Sequence, residues 1–245
     1  PPTLNSWANK YVKIPKPTQY QSRTDYRNVP IEWLGKVFLD EADHLKDINP
    51  KAYAHEYLGE PSNAGGTVFE NVEIRAITDD EIASFDRLHY GLDWGYALDP
   101  LHWAKLHYDA ARETIYIFDE LRAVRMRNEE LYQVLTQQKQ VTPADLVIAD
   151  SAEPKSVADM TAFGLNCRGS EKGPDSVRYS MRWLQGRAKI VIDPRRCPYT
   201  AQEFLDYEYE QTRDGEWISE YPDRNNHAID AVRYALNLIW RKRGQ

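Results

Sequence analysis

Four residues are of types that could hold a divalent cation together: Asp93, Asp150, His227 and Asp230. Asp93 interrupts the strand-like run HYGLDWGY, between Leu92 and Trp94. A charge in a central strand is costly to bury unless it is paired or bound to a metal. Asp150 closes the apolar stretch LVIAD. In open α/β sheets, ligands gather beyond the C-terminal ends of such strands. Two carboxylates on neighbouring central strands repel each other, which raises a pKa unless a cation neutralises them. His227 and Asp230 are three apart in NNHAIDA, so a helix would project both from one face. Oxygen donors without thiolates suit Mg²⁺ or Mn²⁺, and His is a further ligand for Mn²⁺. Alone, each residue has a bland reading: an Asp at a strand end, a structural His. Together they read as one site.

The elements that must position these residues can be read from periodicity. Residues 1 to about 30 are polar and proline-rich, an extended arm. Residues 31–46 have helical spacing, and Asn49-Pro50 caps a second helix that stops at Gly59. Residues 1–85 therefore read as a linker with a short helical appendage, and 86–245 as the main domain. Residues 89–96, 101–108 and 114–118 form three antiparallel strands. A helix over 128–140 leads to the buried strand 146–149, and helices and short strands then alternate to residue 206. Asp214-Gly215 marks a hairpin turn, followed by one long helix over 226–241. The fold class is α/β: a mixed central sheet, three antiparallel strands then parallel ones, flanked by helices.

Composition narrows the function. The net charge is −7, yet Lys155 to Arg196 holds nine Lys/Arg against four Asp/Glu. The net charge argues against nonspecific binding of nucleic acid over the whole surface, while a local basic face is what a phosphate-backbone binder needs. Lys155, Arg168, Lys172, Arg178, Arg195, Arg196 and Arg213 are the candidate contacts to DNA. Two cysteines, Cys167 and Cys197, form no CxxC pair and argue against a thiolate zinc site. Apolar runs are too short for a membrane helix, and the N-terminus lacks a signal-peptide pattern, so a cytoplasmic location with no membrane partner is expected.

GLDWGY (91–96), LVIADSAEPKSV (146–157) and NNHAIDAVRYAL (225–236) resemble the three nuclease motifs of tailed-phage large terminase subunits. Residues 204–227 resemble the hairpin and loop before the third motif. AYAHEYLGE with GGTVFE is similar to the junction between that family's motor and nuclease halves. The resemblance implies a ribonuclease-H-like fold. It implies two Mg²⁺ or Mn²⁺ ions on Asp93 and Asp150, completed by His227 or Asp230. One ion would activate water and the other would stabilise the leaving 3′ oxygen. It implies cutting of concatemeric viral double-stranded DNA with little sequence preference. An ATPase motor, a portal protein and a small terminase subunit would be partners, in the host cytoplasm and transiently at the procapsid portal. No G-x-x-x-x-G-K-[ST] occurs, since Gly35-Lys36 is followed by Val37, so no ATPase motif is present and the chain reads as the nuclease half.

Other enzymes of this layout, a transposase or integrase or a junction resolvase, share the acids, and a non-catalytic DNA- or portal-binding module is a further reading. Asp119-Glu120 read as solvated strand-end acids and Asp99 as a turn residue. Glu153 and Lys155 could help to position water or phosphate.

Overall fold

The computed structural model describes residues 20, 22, 24–48, 53–54, 57–60, 66–97, 99–211, 218 and 220–241. It divides into two compact units, residues 1–67 and 68–245. In the first, two short 3₁₀ turns, Tyr26–Asn28 and Ile31–Trp33, precede helix α1, Lys36–Ile48. Tyr26, Phe38, Tyr53 and Tyr57 pack edge to face or stacked, with Tyr26 and Phe38 centroids 5.6 Å apart. The helix expected after Asn49-Pro50 lies mostly outside the described residues.

The second unit is a seven-stranded mixed sheet. Its elements are β1 (Val72–Ile74), α2 (Asp79–Ala83), β2 (Leu88–Asp93), β3 (Leu101–Asp109) and β4 (Thr114–Ala123). Then follow α3 (Asn128–Gln133), β5 (Val147–Ala149), α4 (Pro154–Ala162), β6 (Cys167–Gly169), α5 (Ser176–Gln185), β7 (Lys189–Ile192) and α6 (Pro198–Asp206), and last α7 (His227–Ala235) and α8 (Asn237–Trp240). The strand order is β1-β7-β4-β3-β2-β5-β6. β2, β3 and β4 pair antiparallel, and β2–β5, β5–β6, β4–β7 and β1–β7 are parallel. This is the mixed sheet expected from sequence.

The pleat sends alternate residues of β2 to opposite faces. Tyr90 and Leu92 join a core with Trp103, Leu131, Leu135 and Met160, so α3 and α4 cover that face. Gly91 and Asp93 point the other way, toward α7. There, a Cβ on Gly91 would lie 1.8 Å from the carbonyl oxygen of Ala231. Helix and strand therefore meet main chain to main chain.

Three details differ from the sequence reading. Residues 68–85, expected in the connector, belong to the sheet unit. β1 pairs with β7, Val72 opposite Ile190, but its three residues, Val-Glu-Ile, are too few for an alternation to be recognised. Thr78 caps α2 by accepting from the Glu81 amide at 3.2 Å. The single terminal helix is two, broken at Leu236. α3 runs on as a π-helical turn, Val134–Gln138. The hairpin is paired at its base, where the Ile218 amide donates to the Glu210 carbonyl at 2.9 Å and the Glu210 amide to the Glu220 carbonyl at 3.0 Å. Its turn, with Arg213, lies outside the described residues.

Candidate metal centre

Asp93 is the last residue of β2, and Asp150 directly follows β5, the neighbouring parallel strand. Pairing continues past β5, because the Asp150 amide donates to the Leu92 carbonyl at 2.9 Å. The Trp94 indole N–H donates to the Asp150 carbonyl at 2.9 Å and ties the two strand ends together. Both acids thus leave the sheet at its C-terminal edge, side by side.

The third element arrives by geometry that Gly91 sets. From the Gly91–Ala231 contact to Asp93 is two strand residues, about 6.6 Å. From Ala231 back to His227 is one helical turn, about 6 Å. The two advances match, and the His227 Nδ1 lies 3.0 Å from the Asp93 Oδ2. Asp230, on the same helix, receives the Asn226 side-chain amide at 3.2 Å and pairs with Arg233. The Arg233 guanidinium, almost wholly buried, also donates to the Ser180 Oγ at 2.7 Å.

Burial governs the electrostatics. Asp93 is 7% exposed. Burial pushes its carboxyl up to about 6; the His227 hydrogen bond opposes this, and the charges of Asp230 and Asp150 push further upward. Burial raises Asp230 too, against the pull of Arg233. His227 is raised, chiefly by its bond to Asp93. Three acids that feel each other's charge, with oxygen donors and one imidazole, are the donor types that suit a divalent cation. Among the described residues, no three His, Cys, Asp or Glu side chains stand ready-made around an ion. Each acid faces a basic side chain of the protein itself: His227 for Asp93, Lys172 for Asp150 and Arg233 for Asp230.

The other expectations fall out unevenly. Lys155, Arg168, Lys172, Arg178 and Arg195 are exposed. Arg196 is engaged as a strut, donating to the Ile77 carbonyl at 2.8 Å and Asp193 at 2.9 Å and pairing with Asp79. Glu120 is not a solvated acid. It is buried and caps α6, accepting from the Tyr199 and Thr200 amides at 3.0 and 2.8 Å. Asp119 pairs with Lys139 at 2.5 Å. Asp99 is an exposed turn residue whose Oδ1 lies 3.9 Å from the His227 Nε2. Glu153 lines a groove of about 650 Å³ beside Asp150, with Trp94, Tyr96, Arg127 and Phe163.

Comparison with known proteins bears directly on this site. The family described as "Terminase RNAseH like domain" matches residues 93–237, from the first candidate ligand past the last. The chain belongs to this family. The large terminase subunit of Bacillus phage SPP1 is 38% identical over 251 residues, spanning the whole chain and 58% of that protein. The PBSX phage terminase large subunit of Bacillus subtilis strain 168 is 24% identical, over 90% of the chain and 50% of that protein. The chain therefore spans little more than half of the curated relatives it matches. Among solved structures, the nuclease domain of the SPP1 large terminase with bound Mn is 39% identical with a TM-score of 0.64, covering 69% of this chain and 96% of that one. The P22 large terminase nuclease domain shares the fold, with a TM-score of 0.51 at 13% identity, over 73% of this chain and 97% of that one.

Two residues of this terminase RNase H-like domain escape sequence reasoning. Arg233 could have been suspected, because it stands three after Asp230 on one helix. Glu203 could not. It lies on α6 and accepts from the Ile229 amide at 2.8 Å, so it caps the helix that carries His227 and Asp230. Burial pushes its carboxyl up to about 8, against the pull of the Ile229 and Ala228 amides and of His227.

Proposed function

We propose that this domain is the DNA-cutting part of a large terminase, a metal-dependent endonuclease that severs concatemeric viral DNA during packaging. The reading is supported by Asp93 and Asp150 ending neighbouring parallel strands and by His227, on the helix that also carries Asp230, being hydrogen-bonded to Asp93. Asp93, Asp150 and Asp230 would hold two Mg²⁺ or Mn²⁺ ions, and His227 would orient Asp93. Such ions supply a water acidified enough to attack phosphorus at neutral pH and neutralise charge on the leaving 3′ oxygen. The chain's own residues do the rest: Gly91 and Glu203 set α7, Trp94 sets the Asp150 backbone, and burial keeps the acids from being wholly solvated. Exposed Lys155, Arg168, Arg178 and Arg195 would hold the duplex backbone, giving little sequence preference. An ATPase motor elsewhere in the full-length protein, a portal protein and a small terminase subunit would direct it, within the host cytoplasm. Family membership favours this over a transposase, a resolvase or an inert docking module.

The test is cleavage of supercoiled plasmid with Mn²⁺, Mg²⁺ or EDTA. Wild type should nick and linearise the plasmid with either metal and not in EDTA. Asp93→Ala and Asp150→Ala should lose at least ~100-fold in rate, about 2.7 kcal/mol of barrier. Chelator-resistant cutting, or variants as active as the parent, would overturn the reading.

A further inference from the structure

Lys172 was expected to be an ordinary phosphate contact, and its surroundings give it a different place. It lies in the loop between β6 and α5, which is fastened on two sides. The Ser170 amide donates to the Ala149 carbonyl at 2.6 Å and holds the loop to β5. On the other side, Asn237 of α8 is bonded both ways to the Glu171 backbone. The Glu171 amide donates to its Oδ1 at 3.2 Å, and its Nδ2 donates to the Glu171 carbonyl at 3.1 Å. Asn237 is 2% exposed, so this clamp is shielded from water. The next residue is Lys172. Its ammonium pairs with the Asp150 Oδ1 and stands 5.6 Å from the centroid of the Tyr234 ring, on the helix that carries Asp230. A free surface lysine has neither a fastened backbone nor an aromatic wall.

We propose that Lys172 is a resident counter-cation of the metal centre, one that competes with the divalent ion for Asp150 and so sets the ion concentration at which the site loads. The inference rests on the reading that Asp93, Asp150 and Asp230 hold metal. The Asp150 Oδ1 already accepts from the Ala152 amide at 3.0 Å as well as from Lys172. An incoming dication at that carboxylate meets a like charge in contact range, so the ammonium must withdraw as the ion enters. The Lys172 side chain is 43% exposed and has a path outward into solvent. A partly exposed pair is weak enough to exchange, which suits a placeholder better than a permanent strut. Withdrawal would leave the ammonium beside the loaded site, where a DNA phosphate is the natural next partner.

The experiment measures Mn²⁺ binding directly, by isothermal titration calorimetry and by the electron paramagnetic resonance signal of free Mn²⁺, without DNA. Lys172→Gln should bind Mn²⁺ roughly three- to tenfold more tightly than wild type. Lys172→Arg, which keeps the charge, should stay near wild type. Lys189→Gln removes the same charge from a lysine that pairs with Glu73 at 2.6 Å on β1, and should leave Mn²⁺ affinity unchanged. If Lys172→Gln binds no more tightly than wild type, or Lys189→Gln tightens binding equally, the competition idea is wrong. If wild type takes up no Mn²⁺, or Asp93→Asn binds it as well as wild type, the metal reading itself fails and the inference falls with it.

Discussion

At the residue scale, each candidate acid is defined by the basic side chain it faces. Asp230 is partly buried, its side chain 18% exposed against 5% for Arg233; burial raises its carboxyl, and Arg233 is its main compensation. Removing one partner of a buried pair leaves an uncompensated charge, which costs far more than removing both. Arg233→Met should therefore lower stability by roughly 3–5 kcal/mol in EDTA. Adding Asp230→Asn to it should recover most of that loss, as read from urea unfolding. A single Arg233→Met variant as stable as its parent would contradict this account. Asp230→Asn alone should fold yet lose cleavage. His227→Gln should retain part of the activity, because glutamine can still reach toward Asp93 with a donor. A plasmid-cleavage series ranking His227→Gln below Asp230→Asn would reverse the assigned roles.

At the scale of elements, the contact between α7 and β2 decides whether there is a site. A Cβ at position 91 would fall 1.8 Å from a backbone oxygen and 2.6 Å from the Ala235 amide nitrogen, and neither atom can rotate away. Gly91→Ala must push the helix off the strand. It should cost about 1–3 kcal/mol or more and, by displacing His227 and Asp230 from Asp93, abolish cleavage. Gly35→Ala, where an added Cβ meets nothing within 4 Å, should do neither. Thermal unfolding and plasmid cutting of the two variants check this together. The acids were legible in the sequence because each interrupts or ends an apolar run, and Gly91 could be read as part of a motif. Its role could not, because the atoms it accommodates are 140 positions away. The short β1 strand was invisible for a local reason: three residues are too few to establish a period. Glu203 and Glu120 were missed or misread because capping a helix from another element leaves no mark on the spacing of either.

At the scale of the whole molecule, buried imidazoles set the acid limit. His89, at the end of the sheet opposite the site, has a buried Nε2 with no hydrogen-bond partner. Burial, then the charges of His107 and Arg87, lower it from 6.5 to about 4. His102 is lowered to about 3, again first by burial. A depressed folded value means that the unfolded chain takes up the proton first. Stability from these groups is therefore complete above pH 6.5 and drains away as pH falls toward 4 and below. His89 alone should account for about 2 kcal/mol lost by pH 5. Urea midpoints of wild type and His89→Gln at pH 7 and pH 5 test this. The variant should show the shallower decline, and parallel declines would remove His89 from the explanation. The basic stretch from Lys155 to Arg196 is less uniform in three dimensions than in sequence. Arg196 is spent on Asp193 and Asp79, while Arg168, Arg178 and Arg195 remain open to a partner.

The hydrogen bond between Asp93 and His227 spans 134 residues of chain. At ordinary translation speeds of about 5–20 residues per second, Asp93 is made roughly 7–27 seconds before its partner. Through that interval a ribosome-bound chain can have its sheet and still lack α7. Such a nascent molecule carries two of the acids and none of the helix that brings in the third, so on the proposed function it would leave the nucleic acid around it uncut. On the proposed function, the order of the elements would work as a safety delay, with cutting competence arriving only with the last helices of the sheet unit.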